Sequence, residues 1–131
     1  MRRTMMATLV VMLVLMPVTL ELRAAEKVIE PLMPGWERFF KIDWEAVEPR
    51  GRPVVRGYVT NDSPYTVTRM QLLLDALDGS GRVVAQQISW LPGTLTAFSR
   101  AYFEIPVQQR AQAYRVRVLA YDRLEVSHQT P

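Results

Sequence analysis

One histidine, no cysteine and thirteen acidic side chains are the catalytic resources of this 131-residue chain. His128 lies in a polar tail after Arg123. General-base work would need an ordered pocket and a hydrogen-bonded partner, and nothing around His128 supplies either, so it reads as a solvated residue. Asp43 and Glu45 stand two apart, a spacing that could pair carboxylates for acid–base work. On a strand it places them on the polar side, beside a solvated face. Asp75 and Asp78 precede Gly79. A calcium loop wants ligands at its first, third and fifth positions, so these two read as a capped turn. Gly79-Ser80-Gly81 lacks the further glycine and lysine of a phosphate cradle and reads as a hairpin turn. No serine stands in a G-x-S-x-G elbow. The absence of cysteine removes thiolate metal sites, disulfides and a thiol nucleophile. Asn61-Asp62-Ser63 has the form of a glycosylation sequon, but Pro64 follows it and the string reads as turn chemistry. We therefore expect no enzyme, no cofactor and no metal site.

Binding chemistry has more to work with. Arg50, Arg52 and Arg56 cluster around a first hairpin, and Arg115 and Arg117 alternate on one later strand. If those strands were neighbours they would form a basic stripe for an acidic partner. Cross-strand pairing with Asp43, Glu45 and Glu104 is the simpler expectation. Tyr58, Tyr102 and Tyr121 fall on strand faces that read as outward, with Tyr65 in a turn. Exposed aromatic rings can form a platform for a sugar or a protein. The candidate binding surface is thus Tyr58, Tyr102, Tyr121, Arg56, Arg115 and Arg117, with cover of the tyrosines by the other sheet or by the lead-in segment as the competing expectation.

The elements that must position these residues read as strands. From Phe39 to Glu48, Phe40, Ile42, Trp44 and Ala46 alternate with Lys41, Asp43 and Glu45, the period of a half-buried strand. Trp44 falls on the core side, so Trp44→Asp is expected to unfold the domain and Asp43→Ala to be tolerated. Pro53–Thr60 follows a Pro-Arg-Gly-Arg turn, with Val55 and Val59 opposite Arg56 and Tyr58. Val67–Leu77 fits a helix face or a strand. Its β-branched start and the Asp78–Gly81 turn favour the strand, with Met70, Leu72, Leu74 and Ala76 on one side. In Val83–Trp90, Val84, Ile88 and Trp90 share a face. Thr94–Ile105 alternates throughout and stops at Pro106. In Tyr114–Tyr121, Val116, Val118 and Ala120 oppose Arg115 and Arg117. Six strands, each with one polar face, predict an all-β fold: a small antiparallel β-sandwich.

The N-terminus reads as an export signal. Arg2 and Arg3 precede an uncharged run from Met5 to Leu20, and Ala24-Ala25 closes it. A spanning helix would need ~20 apolar residues, and this shorter run contains Pro17. Cleavage after Ala24 or Ala25 is the expectation, with no membrane span afterwards; an uncleaved anchor is the competing one. The divisions expected are residues 1–25 as signal peptide, 26–38 as linker or extended lead-in, 39–124 as the sandwich and 125–131 as a loose tail. The signal carries Arg2, Arg3, Arg23 and Glu21, so most of the +3 net charge leaves with it. A near-neutral domain offers no general attraction for nucleic acid.

Gly57-Tyr58-Val59-Thr60-Asn61, Asp78-Gly79-Ser80-Gly81-Arg82-Val83-Val84, Leu91-Pro92-Gly93, Phe103-Glu104-Ile105-Pro106 and Tyr114-Arg115-Val116-Arg117-Val118 occur in that order. The series resembles the FxLYD-type domains, immunoglobulin-like sandwiches of exported prokaryotic proteins. The likeness spans about Arg52 to Asp122. In the string that names the family, Asp78 is the residue kept. The resemblance implies a periplasmic or extracellular module and supplies no catalytic residue. The expected function is an exported interaction module that docks to an envelope or secreted protein. The alternative is a carbohydrate- or polymer-binding module using the tyrosines and arginines.

Overall fold

The computed structural model of the protein describes residues 27–124. The expected signal peptide, its cleavage point, the tail and His128 lie outside them. Two short 3₁₀ turns and seven strands run along the chain: the turn Trp36–Arg38, β1 (Phe40–Val47), the turn Pro49–Gly51, β2 (Val54–Asn61), β3 (Val67–Leu77), β4 (Val83–Trp90), β5 (Thr94–Leu95), β6 (Arg100–Pro106) and β7 (Ala113–Arg123). One sheet has the order β1-β2-β6. In the other, β3 pairs with β4 and β5 along one edge and β7 along the other. All pairings are antiparallel. The two sheets pack as a β-sandwich, and their orders match the A-B-E and C′-C-F sheets of the immunoglobulin pattern.

The core lies between the sheets. Val55, Val59, Phe103 and Ile105 of the first meet Met70, Leu72, Leu74, Val116 and Val118 of the second. These are the residues that strand alternation placed inward. Val67–Leu77 is a strand, as expected.

Two expectations about single strands need correction. Thr94–Ile105 is not one strand. The chain leaves the second sheet after Leu95, turns at Phe98 in a left-handed conformation with φ 57°, and enters the first sheet at Arg100. Sequence alternation continued through this corner because Ala97 and Ser99 stay half-buried on the way. Trp44 is also not a core residue. Its register partner is the inward Gly57, so the parity holds. The second sheet does not reach under this half of β1, however, and leaves a gap of ≈ 500 Å³ lined by Trp44, Ala46 and Ala111–Tyr114. Trp44 is 39% exposed at that open end.

The expectation of one polar face per strand fails for β3. Leu73 and Asp75 point away from the core, yet both are fully buried. The segment before Trp36 covers them. Leu32 N donates to the Leu119 carbonyl, and Ile29 exchanges hydrogen bonds with the Gln86 side chain. The lead-in thus lies across the outer face of the second sheet, and Trp36 enters the core. Val84, Ile88 and Trp90 do share a face, but it is this outer face, and all three are exposed.

Candidate functional site

The outer face of the first sheet is built in cross-strand rows. Lys41, Thr60 and Arg100 form one row, Asp43, Tyr58 and Tyr102 the next, and Glu45, Arg56 and Glu104 the third. Three strands in register, without a bulge, deliver every second side chain to this face. Two tyrosines therefore stand at the centre with charges on both sides.

Their geometry is specific. The Tyr58 and Tyr102 rings meet edge to face with centroids 5.5 Å apart, the arrangement that the ring quadrupole favours. The Arg100 guanidinium lies over the Tyr58 ring, 4.4 Å from its centroid, a cation–π contact. Arg56 Nε donates to Glu45 Oε1 at 2.9 Å, and this hydrogen bond pushes the Arg56 pKa up. The cross-strand pairing expected for Glu45 is therefore present. Tyr58 and Tyr102 remain 38% and 48% exposed.

Gly57 shapes the surface between them. A β-carbon there would lie 1.8 Å from the Asp43 carbonyl oxygen and 2.7 Å from Trp44 Cα. β1 thus closes onto β2 as no other residue would permit. Asp43, Trp44, Glu45, Arg56, Gly57, Tyr58 and Tyr102 line a depression of ≈ 540 Å³. It combines aromatic rings with two carboxylates and a guanidinium. Such a surface can hold a ligand by ring contact, cation–π attraction and charged hydrogen bonds. The hollow of ≈ 210 Å³ between β4 and residues 107–109 is lined by glutamines and aliphatic groups, with no aromatic or charged side chain.

The other expected site residues lie elsewhere. Tyr121 does not face outward: its ring packs edge to face on Phe40 at 4.8 Å and joins the core. The cause is a bulge. Leu72 pairs with Val118 but Gln71 with Ala120, so Leu119 is an extra residue and the parity of β7 flips beyond it. Arg115 and Arg117 are in the second sheet and do not neighbour Arg56. Both donate through Nε to Asp75 Oδ2 at 2.9 Å. No basic stripe exists across these strands.

Asp75 is the site that sequence reading misassigned. It does not cap the turn with Asp78; it is fully buried and holds Arg115, Arg117 and Gln86. Gln86 then binds Ile29, and Arg117 binds Glu30 and the Ile29 carbonyl. A carboxylate set in the apolar run Leu72-Leu73-Leu74-Asp75-Ala76-Leu77 was the available signal. Asp78 does cap its turn: Oδ1 accepts from Ser80 N, Ser80 Oγ and Arg82 N. The Ser80 hydroxyl first, then the Arg82 N–H, holds its pKa below the ordinary value.

The chain matches no protein-family model, no curated protein and no solved structure. Among the described residues, no group of three or more His, Cys, Asp or Glu side chains could hold a metal ion, and no helix is long and apolar enough to cross a membrane.

Proposed function

We propose that this chain is an exported, non-catalytic interaction module of the FxLYD type, acting in the periplasm or outside the cell. It docks to an envelope or secreted protein through the outer face of its first sheet. The observation that carries this reading is the exposed Tyr58–Tyr102 pair, capped by Arg100 and ringed by Lys41, Arg56, Glu45 and Glu104. Tyrosine, tryptophan and arginine dominate the binding energy of protein interfaces, above all when polar neighbours surround them and exclude water. The tyrosine rings also lose little conformational freedom when they are covered.

A polysaccharide is the second reading. Asp43 and Glu45 beside the rings could accept hydrogen bonds from sugar hydroxyls while a ring packs on the sugar's apolar face. The test is affinity capture with the tagged chain, run in parallel with Tyr58→Ala and Tyr102→Ala. A stoichiometric protein held by the parent and lost by more than about tenfold from either variant supports protein docking. Retention on immobilised polysaccharide with the same sensitivity transfers the site to the second reading. A partner held equally by parent and variants removes this face from both.

A further inference from the structure

Five strands stand at the sheet margins; β5 is only two residues long, and of the four longer ones three carry charges along their length. β1 has Lys41, Asp43 and Glu45; β6 has Arg100, Glu104 and Pro106; β7 has Arg115, Arg117, Asp122 and Arg123. Charges and proline at an edge are the ordinary means of preventing strands of different molecules from pairing. β4 has neither. Its eight residues, VVAQQISW, carry no charge and no proline, and it pairs only with β3. No other backbone hydrogen bond reaches its outer edge among the described residues.

We propose that β4 is a self-association edge, along which two copies of this chain pair antiparallel into one continuous sheet. Its side chains point to this occupant. Val84, Ile88 and Trp90 are 48%, 46% and 57% exposed on the outer face, and Val28 and Ile29 of the lead-in extend the apolar surface beside Val84. The two glutamines are already engaged. Gln86 binds Asp75 and Ile29, and Gln87 binds the Pro106 carbonyl and Gln108 N. Their bonds tie these two side chains to the strand's own domain and leave its edge backbone free; the register slips by one residue at Val84, so the regular part of the edge is Ala85–Trp90. A strand without charge meets its own copy with no like charges opposed. A two-fold axis through Gln87 sets Gln86 against Ile88 and Ala85 against Ser89 within the regular stretch, bringing the exposed Val84, Ile88 and Trp90 of both copies to one side. Shifts of two residues put Gln86 or Ile88 on the axis and keep the same faces together. This interface is separate from the Tyr58–Tyr102 face.

The absence of cysteine makes the test direct. Sedimentation of the exported chain, recovered after its expected cleavage, should show a concentration-dependent dimer. Ile88→Lys and, independently, Val84→Lys should each weaken it by about tenfold or more while circular dichroism stays that of the parent. Both positions are exposed, so two variants guard against a folding failure in one. Tyr102→Ala should leave the dimer unchanged. Single cysteines placed at Gln86, Gln87 and Ile88 in turn should yield an intermolecular disulfide for at least one, and Glu45→Cys should not. A chain that stays monomeric, a dimer indifferent to both lysine variants, or equal crosslinking through Glu45→Cys would overturn the proposal. A monomer that instead takes up an added extended apolar peptide along β4 would overturn it too.

Discussion

Gly57 and Asn61 show how single residues on β2 set the geometry of the whole face. Gly57 is constrained by space: its missing β-carbon admits the Asp43 carbonyl. Gly57→Ala is expected to force β1 away from β2 and cost about 3 kcal/mol in urea denaturation. A loss within a few tenths of a kcal/mol would mean the strands can separate there freely. Asn61 is constrained by hydrogen bonding. Fully buried, it donates to the carbonyls of Tyr65, Leu95 and Thr96 and accepts from Ser63 N and Oγ. One amide thereby fastens the β2–β3 corner to the β5–β6 crossing. That is the physical reason a turn-type residue closes a strand, and why this apparent sequon is buried structure.

Among the elements, the lead-in behaves as part of the sandwich. It has no ladder partner of its own and is held by one backbone bond, Leu32 N to the Leu119 carbonyl, and by side chains of the second sheet. Asp75 supplies the anchor, and Arg117 and Gln86 pass the contact on to Glu30 and Ile29. Removing one member of a buried ionic cluster leaves the others uncompensated. Asp75→Ala is therefore expected to cost about 3 kcal/mol and to speed amide exchange at Ile29 and Leu32 first. Unchanged protection at both amides would show that the lead-in is held by apolar contact with Leu73 and Leu119 instead. The same covering explains why Leu73 and Asp75 on the outer side of β3 are buried although its sheet is antiparallel.

For the whole molecule, the two sheets differ in extent, and this decides which aromatic residues are core. The second sheet covers Val55, Val59 and Phe103 but stops short of Trp44 and Ala46. Trp44→Asp is accordingly expected to fold, with a loss of about 1 kcal/mol, whereas Val59→Asp places an unpaired charge in the closed core and should not fold. Thermal unfolding of the two variants checks this; equal collapse would return Trp44 to the core. The outer face of the first sheet and the edge of the second belong to different sheets, so the two proposed contacts would not exclude each other.

Local pattern determined much of this protein. Period-two alternation and turn residues were enough for the strands, their inward valines and leucines, the antiparallel sandwich and the outward Tyr58, Tyr102 and Arg56, because each depends on neighbours within a strand or turn. What depended on distant segments was not legible. The break between β5 and β6 follows from the distance between sheets, and alternation does not register a change of sheet. The inward turn of Tyr121 follows from one extra residue at Leu119, which matters only against the register of β3. The burial of Asp75 follows from a lead-in some 45 residues earlier in the chain, and the exposure of Trp44 from where the opposite sheet ends. The sequence specified which way each side chain pointed along an unbroken strand; only the packed structure decided what, if anything, lay opposite.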